Sequence, residues 1–528
     1  MKYISTGNPN IFTNSFIETI VNPIPEKNHL WIPEKLPLVK WPNKAEPIHK
    51  FIELAVNSIT GYNFDFEQEL KEVAIYVTHE DNRSFLNLQD GPTLSFKDFG
   101  CLCAAKIYKT LNLSKRTIVA TSGDTGSAAA YAFSNQNLPI TVIFPKNKVS
   151  SFQANQMISI EKACVMGIEG DFDKCQQIIK KNIQENKFLT CNSISLARLL
   201  PQIGYYAYLS KVIPNVNVIV PSGNLGNATS AYMAKMMGCN INNVIVACNA
   251  NDSAFRFFND IDKIFTPKKT TQTLATAMDI GNPSNIVRLW NLVEKNKNNI
   301  IAFSVPDEII RWFIDNENCP HTTVGIAVSY KLKNMENKCI VRTADKQKFK
   351  KVPINFYPYL KNQNKFFTIF NNIVLVGMPG SGKSTISRCF NKLDSDLEIE
   401  KKYNLPLSQI VTSNTFEGFI EIEGNTIVDM LNTYNGKIIA TGGSVIYSKH
   451  FMNNLSNDLV IYFQVSETGL QSRIGDFVSR GVLSKEKVTT IKELMKERIP
   501  LYEKIADIVV NTEKWSISRI ENFIKSLL

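Results

Sequence analysis

Two successive α/β units, each built on parallel strands, are predicted for this chain, and three observations predict them. Between about residues 100 and 350, short apolar runs alternate with helical patterns, each run closing on a glycine, serine, proline or other polar break. That alternation is expected of parallel strands joined through crossover helices. The segment from Pro353 to Lys365 carries two prolines, many polar residues and no period, so it interrupts the series. A fresh apolar run, Ile373–Val376, then opens a second strand-and-helix series that continues to the C-terminus.

Taken in order, Thr117–Ala120, Ile140–Phe144, Val216–Val220 and Val244–Ala247 read as buried strands. In an open parallel sheet, ligands bind beyond the carboxyl ends of the strands, and the glycine-bearing turns follow those ends. A chain of 528 residues exceeds one ordinary core, so two to four folding units are expected. With 44% hydrophobic and 20% charged residues, disordered and fibrous classes are excluded. The opening Met1-Lys2-Tyr3-Ile4-Ser5-Thr6 has no apolar stretch behind a basic start, and no run of about 18 uncharged apolar residues follows. Neither signal peptide nor membrane span is expected. The ten cysteines are scattered, and only Cys101 and Cys103 are close, which fits a reducing cytoplasmic setting better than a metal site. A formal charge of +11 is spread thinly as lysine, with no run of five or six basic residues. Phosphorylated small molecules therefore suit the chain better than nucleic acid. An oligomer is compatible with the sequence but not specified by it.

Three glycine-rich turns carry the chemistry of the first series. They are Gly91-Pro92-Thr93-Leu94-Ser95-Phe96-Lys97-Asp98-Phe99-Gly100, then Ala120-Thr121-Ser122-Gly123-Asp124-Thr125-Gly126, then Pro221-Ser222-Gly223-Asn224-Leu225-Gly226-Asn227. The second and third each follow a strand and open a helix, so their backbone N–H groups and the helix dipole suit an anion. With a lysine fixed upstream, this set resembles threonine synthase, a member of the tryptophan-synthase-β-like group of pyridoxal-phosphate enzymes. Further matches run through Ile32-Pro33-Glu34-Lys35-Leu36-Pro37, Phe144-Pro145-Lys146-Asn147-Lys148-Val149-Ser150, Asn192–Gln202, Ala277-Met278-Asp279 and Pro320-His321-Thr322. The resemblance covers nearly all of residues 1–350. It implies an N-terminal region over 1–95, a cofactor-binding catalytic region over 96–352 and a linker over 353–371.

The resemblance implies that Lys97 holds pyridoxal 5'-phosphate covalently and moves protons at the substrate. Gly223, Asn224, Leu225, Gly226 and Asn227 would cradle the cofactor phosphate. Ser122, Gly123, Asp124 and Thr125 would lie near the ring hydroxyl and the substrate carboxylate, and Thr343 would meet the pyridine nitrogen. The implied reaction turns O-phosphohomoserine and water into L-threonine and phosphate. A doubly charged leaving group needs cations and hydroxyls, and Lys146, Lys148, Ser150 and Arg198 are the candidates. Another β/γ-eliminating pyridoxal-phosphate lyase is the rival reading. Asp90 stands where the family has His, Ser195 where it has Asn, and Thr343-Ala344-Asp345-Lys346-Gln347-Lys348-Phe349 departs from the usual T-A-H-P-A-K-F.

In the second series Ile373–Val376 runs into Gly377-Met378-Pro379-Gly380-Ser381-Gly382-Lys383-Ser384-Thr385, the G-x-x-x-x-G-K-S spacing of a nucleotide P-loop. Backbone amides there wrap phosphates, Lys383 reaches the β- and γ-phosphates of ATP, and Ser384 ligates Mg²⁺. Residues 372–528 resemble shikimate kinase. The resemblance implies Asp394 as an aid to Mg²⁺, Asp396 as base, Gly442 and Gly443 as the acceptor turn, Arg480 as the lid arginine and Arg498 as the grip on an acceptor carboxylate. The family's F-R-x-x-E reads Phe419-Ile420-Glu421-Ile422-Glu423, and the third glycine of its G-G-G is Ser444. Losing one cation of a carboxylate clamp removes about 1.5–3 kcal/mol. Homoserine fits what is left: Arg498 would hold its one carboxylate, and Glu421 or Glu423 its ammonium. Shikimate phosphorylation, or a degenerate regulatory nucleotide domain, are the alternatives.

Overall fold

The computed structural model describes residues 1–80, 83–185, 187–294, 300–314, 317–354, 357–366, 370–391, 393–474, 483–484, 488 and 490–528. Contacts divide the chain into two compact units, Met1–Ala163 with Gly170–Ile354, and Cys164–Glu169 with Asn355–Leu528.

The first unit holds a sheet in the spatial order Ile301–Ser304, Ile241–Cys248, Val216–Pro221, Lys338–Arg342, Arg83–Asn87, Tyr76–Glu80. All neighbours are parallel except the edge strand Tyr76–Glu80. A second parallel set pairs Leu189–Thr190 with Thr117–Ala120 and that strand with Ile140–Pro145. An antiparallel trio, Tyr3–Ser5, Phe12–Thr13 and Trp31–Pro33, lies at the N-terminus. Val216–Pro221 is buried at every position, as a strand covered on both faces requires. Phe85, Ile219, Ile245 and Ile340 from four strands pack with Val324 and Ile326 of the helix Pro320–Lys331. Each such side chain contributes about 1.5–3 kcal/mol by leaving water, so Ile219→Ala would strike the sheet directly.

The strand ends position the site. Gly223 follows Val216–Pro221, Thr343 follows Lys338–Arg342, and Ser122 follows Thr117–Ala120. Lys97 begins the helix Lys97–Thr110 after Arg83–Asn87. Four strand ends thus deliver the expected residues to the carboxyl side of the two parallel sets. That helix packs without bulk: a Cβ at Gly100 would come within 2.7 Å of the Arg198 carbonyl oxygen, so only glycine admits this approach.

The second unit has five parallel strands in the order Leu393–Asp394, Ile438–Ala440, Ile373–Val376, Leu459–Gln464, Ile508–Asn511. By chain order this is 2-3-1-4-5, and the order reverses around the strand that precedes Gly377. Val374, Val376, Ile439, Val460, Tyr462 and Val509 form its core with Ile427, Leu494 and Tyr502 from the flanking helices. Within the stretch 353–371, expected as a linker, Tyr359–Leu360 is a strand, antiparallel to Ile508–Val509 and parallel to Gly167–Ile168. A buried Leu360 explains why so polar a stretch still pairs. Among the described residues no helix is long and apolar enough to cross a membrane.

Candidate active sites

In the first unit one cavity gathers most of the expected residues. Lys97, Ser122, Asp124, Thr125, Arg198, Gly223, Asn224, Leu225, Gly226, Asn227 and Thr343 line it, with Phe96, Asn192, Ser193 and His321. Gly123 stands just behind, with φ +148°, and a Cβ there would come within 2.5 Å of the Gln153 amide. Lys97 Nζ lies 3.5 Å from Asp124 Oδ2 and 4.5 Å from the centre of the Phe96 ring. Burial lowers the affinity of Lys97 for its proton; Arg198 and Lys348 act in the same direction, and Asp124 opposes them.

Asp124 is the electrostatic hub. Its Oδ1 is 3.1 Å from Lys348 Nζ and accepts a 2.8 Å hydrogen bond from Gln153 Nε2. Burial alone would raise its pKa, but Lys348 and Lys97 together hold it well below the usual carboxylate range. Lys348 is 0% exposed and donates to the Thr93 carbonyl at 2.6 Å and to Gln156 at 3.0 Å. This second lysine was not legible as a site residue: it reaches Asp124 across more than 200 positions of sequence. His321 was likewise legible only as part of a motif. Its Nε2 accepts from the Ala277 N–H at 3.0 Å, burial pushes its pKa down to about 4, and its Nδ1 is buried without a partner.

The glycine turn is braced from outside. Asn224 Nδ2 donates to Ser193 Oγ at 2.7 Å, and its Oδ1 accepts from the Ser284 N–H. Asn227 Oδ1 accepts from the hydroxyls of Tyr205 and Tyr206. Leu225 takes a left-handed conformation, φ +59°, unusual for a side chain of its size and held here by complete burial. Arg288, fully buried, ties the Ser193 and Ile194 carbonyls to the Trp31 carbonyl.

Of the four residues expected to meet a phosphate, Arg198 alone lines the cavity. It spends Nη1 on the Cys191 carbonyl and Nη2 on Thr125, leaving Nε buried without a partner. Lys146 is half-buried, Lys148 is exposed, and Ser150 caps the helix Ser151–Ile158 while donating to the Lys348 carbonyl at 2.6 Å. These three are not among the lining residues.

In the second unit another cavity is lined by Gly380, Ser381, Gly382, Lys383, Ser384, Thr385, Asp396, Gly442 and Gly443. Gly377 starts the loop with φ +151°, and a Cβ there would come within 2.7 Å of the Phe463 carbonyl oxygen. Lys383 Nζ donates to the carbonyls of Gly377 and Met378 at 2.7 and 2.9 Å. Burial pushes its pKa down to about 8, against the pull of Asp396 and Asp394. Asp396 is pushed up to about 6 by burial and by Asp394. Asp394 caps the helix Ser395–Tyr403 by accepting from the Asp396 N–H, and it stands behind the lining residues. Arg498 is buried, with its Cζ 5.4 Å from the centre of the Tyr447 ring. Arg480 lies outside the described residues. Arg473 and Trp515 also line this cavity, and sequence reasoning did not single them out.

The architecture and cavities define the class: a pyridoxal-phosphate-dependent enzyme followed by a P-loop kinase-like domain. The family model for pyridoxal-phosphate-dependent enzymes matches residues 85–315, and the model for shikimate kinase matches residues 379–528. A threonine synthase of Buchnera aphidicola subsp. Schizaphis graminum is 31% identical over 400 residues, 66% of this chain and 91% of that protein. The chain belongs to the threonine synthase family. Among solved structures, threonine synthase from Escherichia coli superposes with TM-score 0.60 at 27% identity, covering 66% of this chain and 90% of that one. Threonine synthase from Brucella melitensis, solved with pyridoxal phosphate bound, gives TM-score 0.55 at 26% identity, covering 66% and 89%.

Proposed function

We propose that the first unit converts O-phosphohomoserine and water to L-threonine and phosphate. The observation that carries this reading is the buried Lys97 beside the Asp124–Lys348 pair, facing the Gly223–Asn227 turn across one cavity. The cavity fits pyridoxal phosphate: a glycine turn after a parallel strand offers N–H groups to a phosphate, and Thr343 Oγ1 is a buried hydroxyl without a partner. Gly223, Asn224, Leu225, Gly226 and Asn227 would hold the phosphate, Thr343 the ring nitrogen, and Lys97 the aldehyde carbon. Once bound, the cofactor supplies an electron sink for carbanionic carbon.

The remaining work falls to the chain. Lys97, held toward its neutral form by burial, takes protons from the substrate's Cα and Cβ and returns them. Ser122, Gly123 and Thr125 orient the substrate carboxylate, while ionised Asp124 lies on the same turn toward the cofactor's ring hydroxyl. Arg198 brings a cation to the cavity wall where the phosphate departs. Hydrogen bonds from Asn224 and Arg288 hold the Ser193 loop in place beside the cradle. Incubating the full chain with pyridoxal phosphate and O-phosphohomoserine tests this: threonine and phosphate form in equal amounts, and Lys97→Ala abolishes both. Phosphate without threonine would point to another eliminating lyase.

For the second unit the supported reading is ATP-dependent phosphoryl transfer to homoserine. Gly377, Gly380, Ser381, Gly382, Lys383 and Thr385 would hold the nucleotide phosphates, Ser384 and Asp394 the Mg²⁺, and Asp396 the acceptor proton. Arg498 would take the acceptor's carboxylate, with apolar Ile420 buried on the nearby helix. The shikimate kinase family match favours shikimate as the second reading. Offering each alcohol separately with ATP and Mg²⁺, and following the phosphorylated product by mass spectrometry, decides between them.

A further inference from the structure

Two departures from the kinase pattern, Ile420 and Ser444, meet at one carboxylate. Glu423 stands one turn after Ile420 in the helix Phe416–Thr433, both buried, and its Oε2 accepts from Ser444 Oγ at 2.7 Å. Its Oε1 carries no hydrogen bond, and Glu423 makes no ion pair among the described residues. A Cβ on Gly442 would overlap that Oε1 and come within 2.9 Å of Asp396 Oδ1. Glu423 and Asp396 therefore face the same glycine floor. The nearby cations are otherwise engaged: Lys383 donates to two loop carbonyls, while Arg498 donates to the Leu483 carbonyl and the Tyr447 hydroxyl.

One donor is left over. Arg498 is 1% exposed, yet its Nη1 has no partner among the described residues, and that atom lies 2.8 Å from where a Cβ of Gly443 would be. Adjacent glycines thus face an unsatisfied cationic donor on one side and an unpaired carboxylate on the other. Buried polar atoms without complements are costly, so the two unpartnered atoms suit a ligand that offers a donor at Glu423 and an acceptor at Arg498.

We infer that Glu423, steadied by Ser444, seats an ammonium group, and that the phosphoryl acceptor is a zwitterionic hydroxy amino acid whose carboxylate takes Arg498 Nη1. This deepens the phosphotransferase reading and rests on it. Burial and the neighbouring Asp396 push the Glu423 carboxyl up to about 8, and an ammonium seated at Oε1 would favour its ionised form. In the transfer step Asp396 takes the acceptor hydroxyl proton while the bond from that oxygen to the γ-phosphorus of ATP forms. The bond from the γ-phosphorus to the β,γ-bridging oxygen breaks, and ADP leaves with that electron pair. An ammonium has three donors, enough to engage Glu423 and still point its carbon chain at Asp396.

The test offers the full chain ATP, Mg²⁺ and one of three alcohols: L-homoserine, 4-hydroxybutyrate (the same chain without the amine) or shikimate. Homoserine is expected to exceed 4-hydroxybutyrate in kcat/KM by about 10–100-fold, one charge-assisted pair. Glu423→Gln, nearly isosteric, is expected to collapse that ratio toward one, with binding of a fluorescent ATP analogue confirming the fold. Equal use of both straight-chain alcohols, a ratio that survives Glu423→Gln, or preference for shikimate overturns the ammonium seat while leaving phosphoryl transfer standing. No transfer to any alcohol by a chain that binds the nucleotide analogue overturns the kinase reading and this inference together. Should Glu423→Gln lose nucleotide binding, the comparison of alcohols on the unaltered chain decides alone.

Discussion

The two units each set a glycine turn at the end of a parallel strand, with opposite treatments of buried charge. In the first, the buried carboxylate of Asp124 is met by two lysines and a glutamine amide. In the second, Asp396 and Glu423 both stand above their ordinary range, and Arg498 keeps a donor in reserve. A cavity whose charges are already paired tunes a chemical group. A cavity with a spare carboxyl oxygen and a spare guanidinium donor is suited to a ligand that supplies the opposite polarity.

The comparison breaks most visibly at the lysine. Lys97→Ala is expected to cut threonine formation from O-phosphohomoserine by at least about 10³-fold, since it removes a covalent anchor and a proton carrier together. ATP-dependent phosphorylation in the same variant, measured by coupled ADP release, is expected to stay at its starting rate. Next in size, Gly442→Ala forces a methyl against Glu423 Oε1 and Asp396. Misplacement on that scale is expected to lower phosphoryl transfer about 10²-fold without touching threonine formation.

A smaller effect follows from Asp396. As a base it must be ionised, and its pKa is raised to about 6, so the rate at saturating acceptor is expected to fall about tenfold per unit below that pH. A rate profile flat down to pH 4.5 would remove Asp396 from the role. Smallest is Lys348→Met. With that lysine gone, Asp124 serves Lys97 alone, one repulsive charge disappears, and both changes favour protonated Lys97. The midpoint at which the visible absorption of bound pyridoxal phosphate changes with pH is expected to rise by about one unit, and Lys348→Arg to keep it near its original place. An unchanged midpoint in Lys348→Met would make the residue a packing element only.

Much of this frame was legible in the chain. Thr117–Ala120 and Ile373–Val376 are unbroken apolar runs between polar breaks, and both form strands with those bounds. Arg83–Asn87 and Lys338–Arg342 escaped the pattern because charged ends mask short buried centres. The glycine turns and Lys97 were local features, visible as words. His321 was visible only within its motif, and Glu423 only as one of two acids for an ammonium; the approach of Lys348 to Asp124 and of Ser444 to Glu423 is tertiary and had no local signal. Lys146, Lys148 and Ser150 stand off the cavity lining, and the capping role of Ser150 depends on a helix boundary rather than on its basic neighbours.

Consecutive chemistry in two separate cavities is tested most directly by following threonine from homoserine, ATP, Mg²⁺ and pyridoxal phosphate with two purified variants. Lys383→Ala alone and Lys97→Ala alone are each expected to make none, and their mixture to make threonine after a lag while O-phosphohomoserine accumulates. A mixture that stays silent, although Lys383→Ala still converts added O-phosphohomoserine to threonine, would contradict the account.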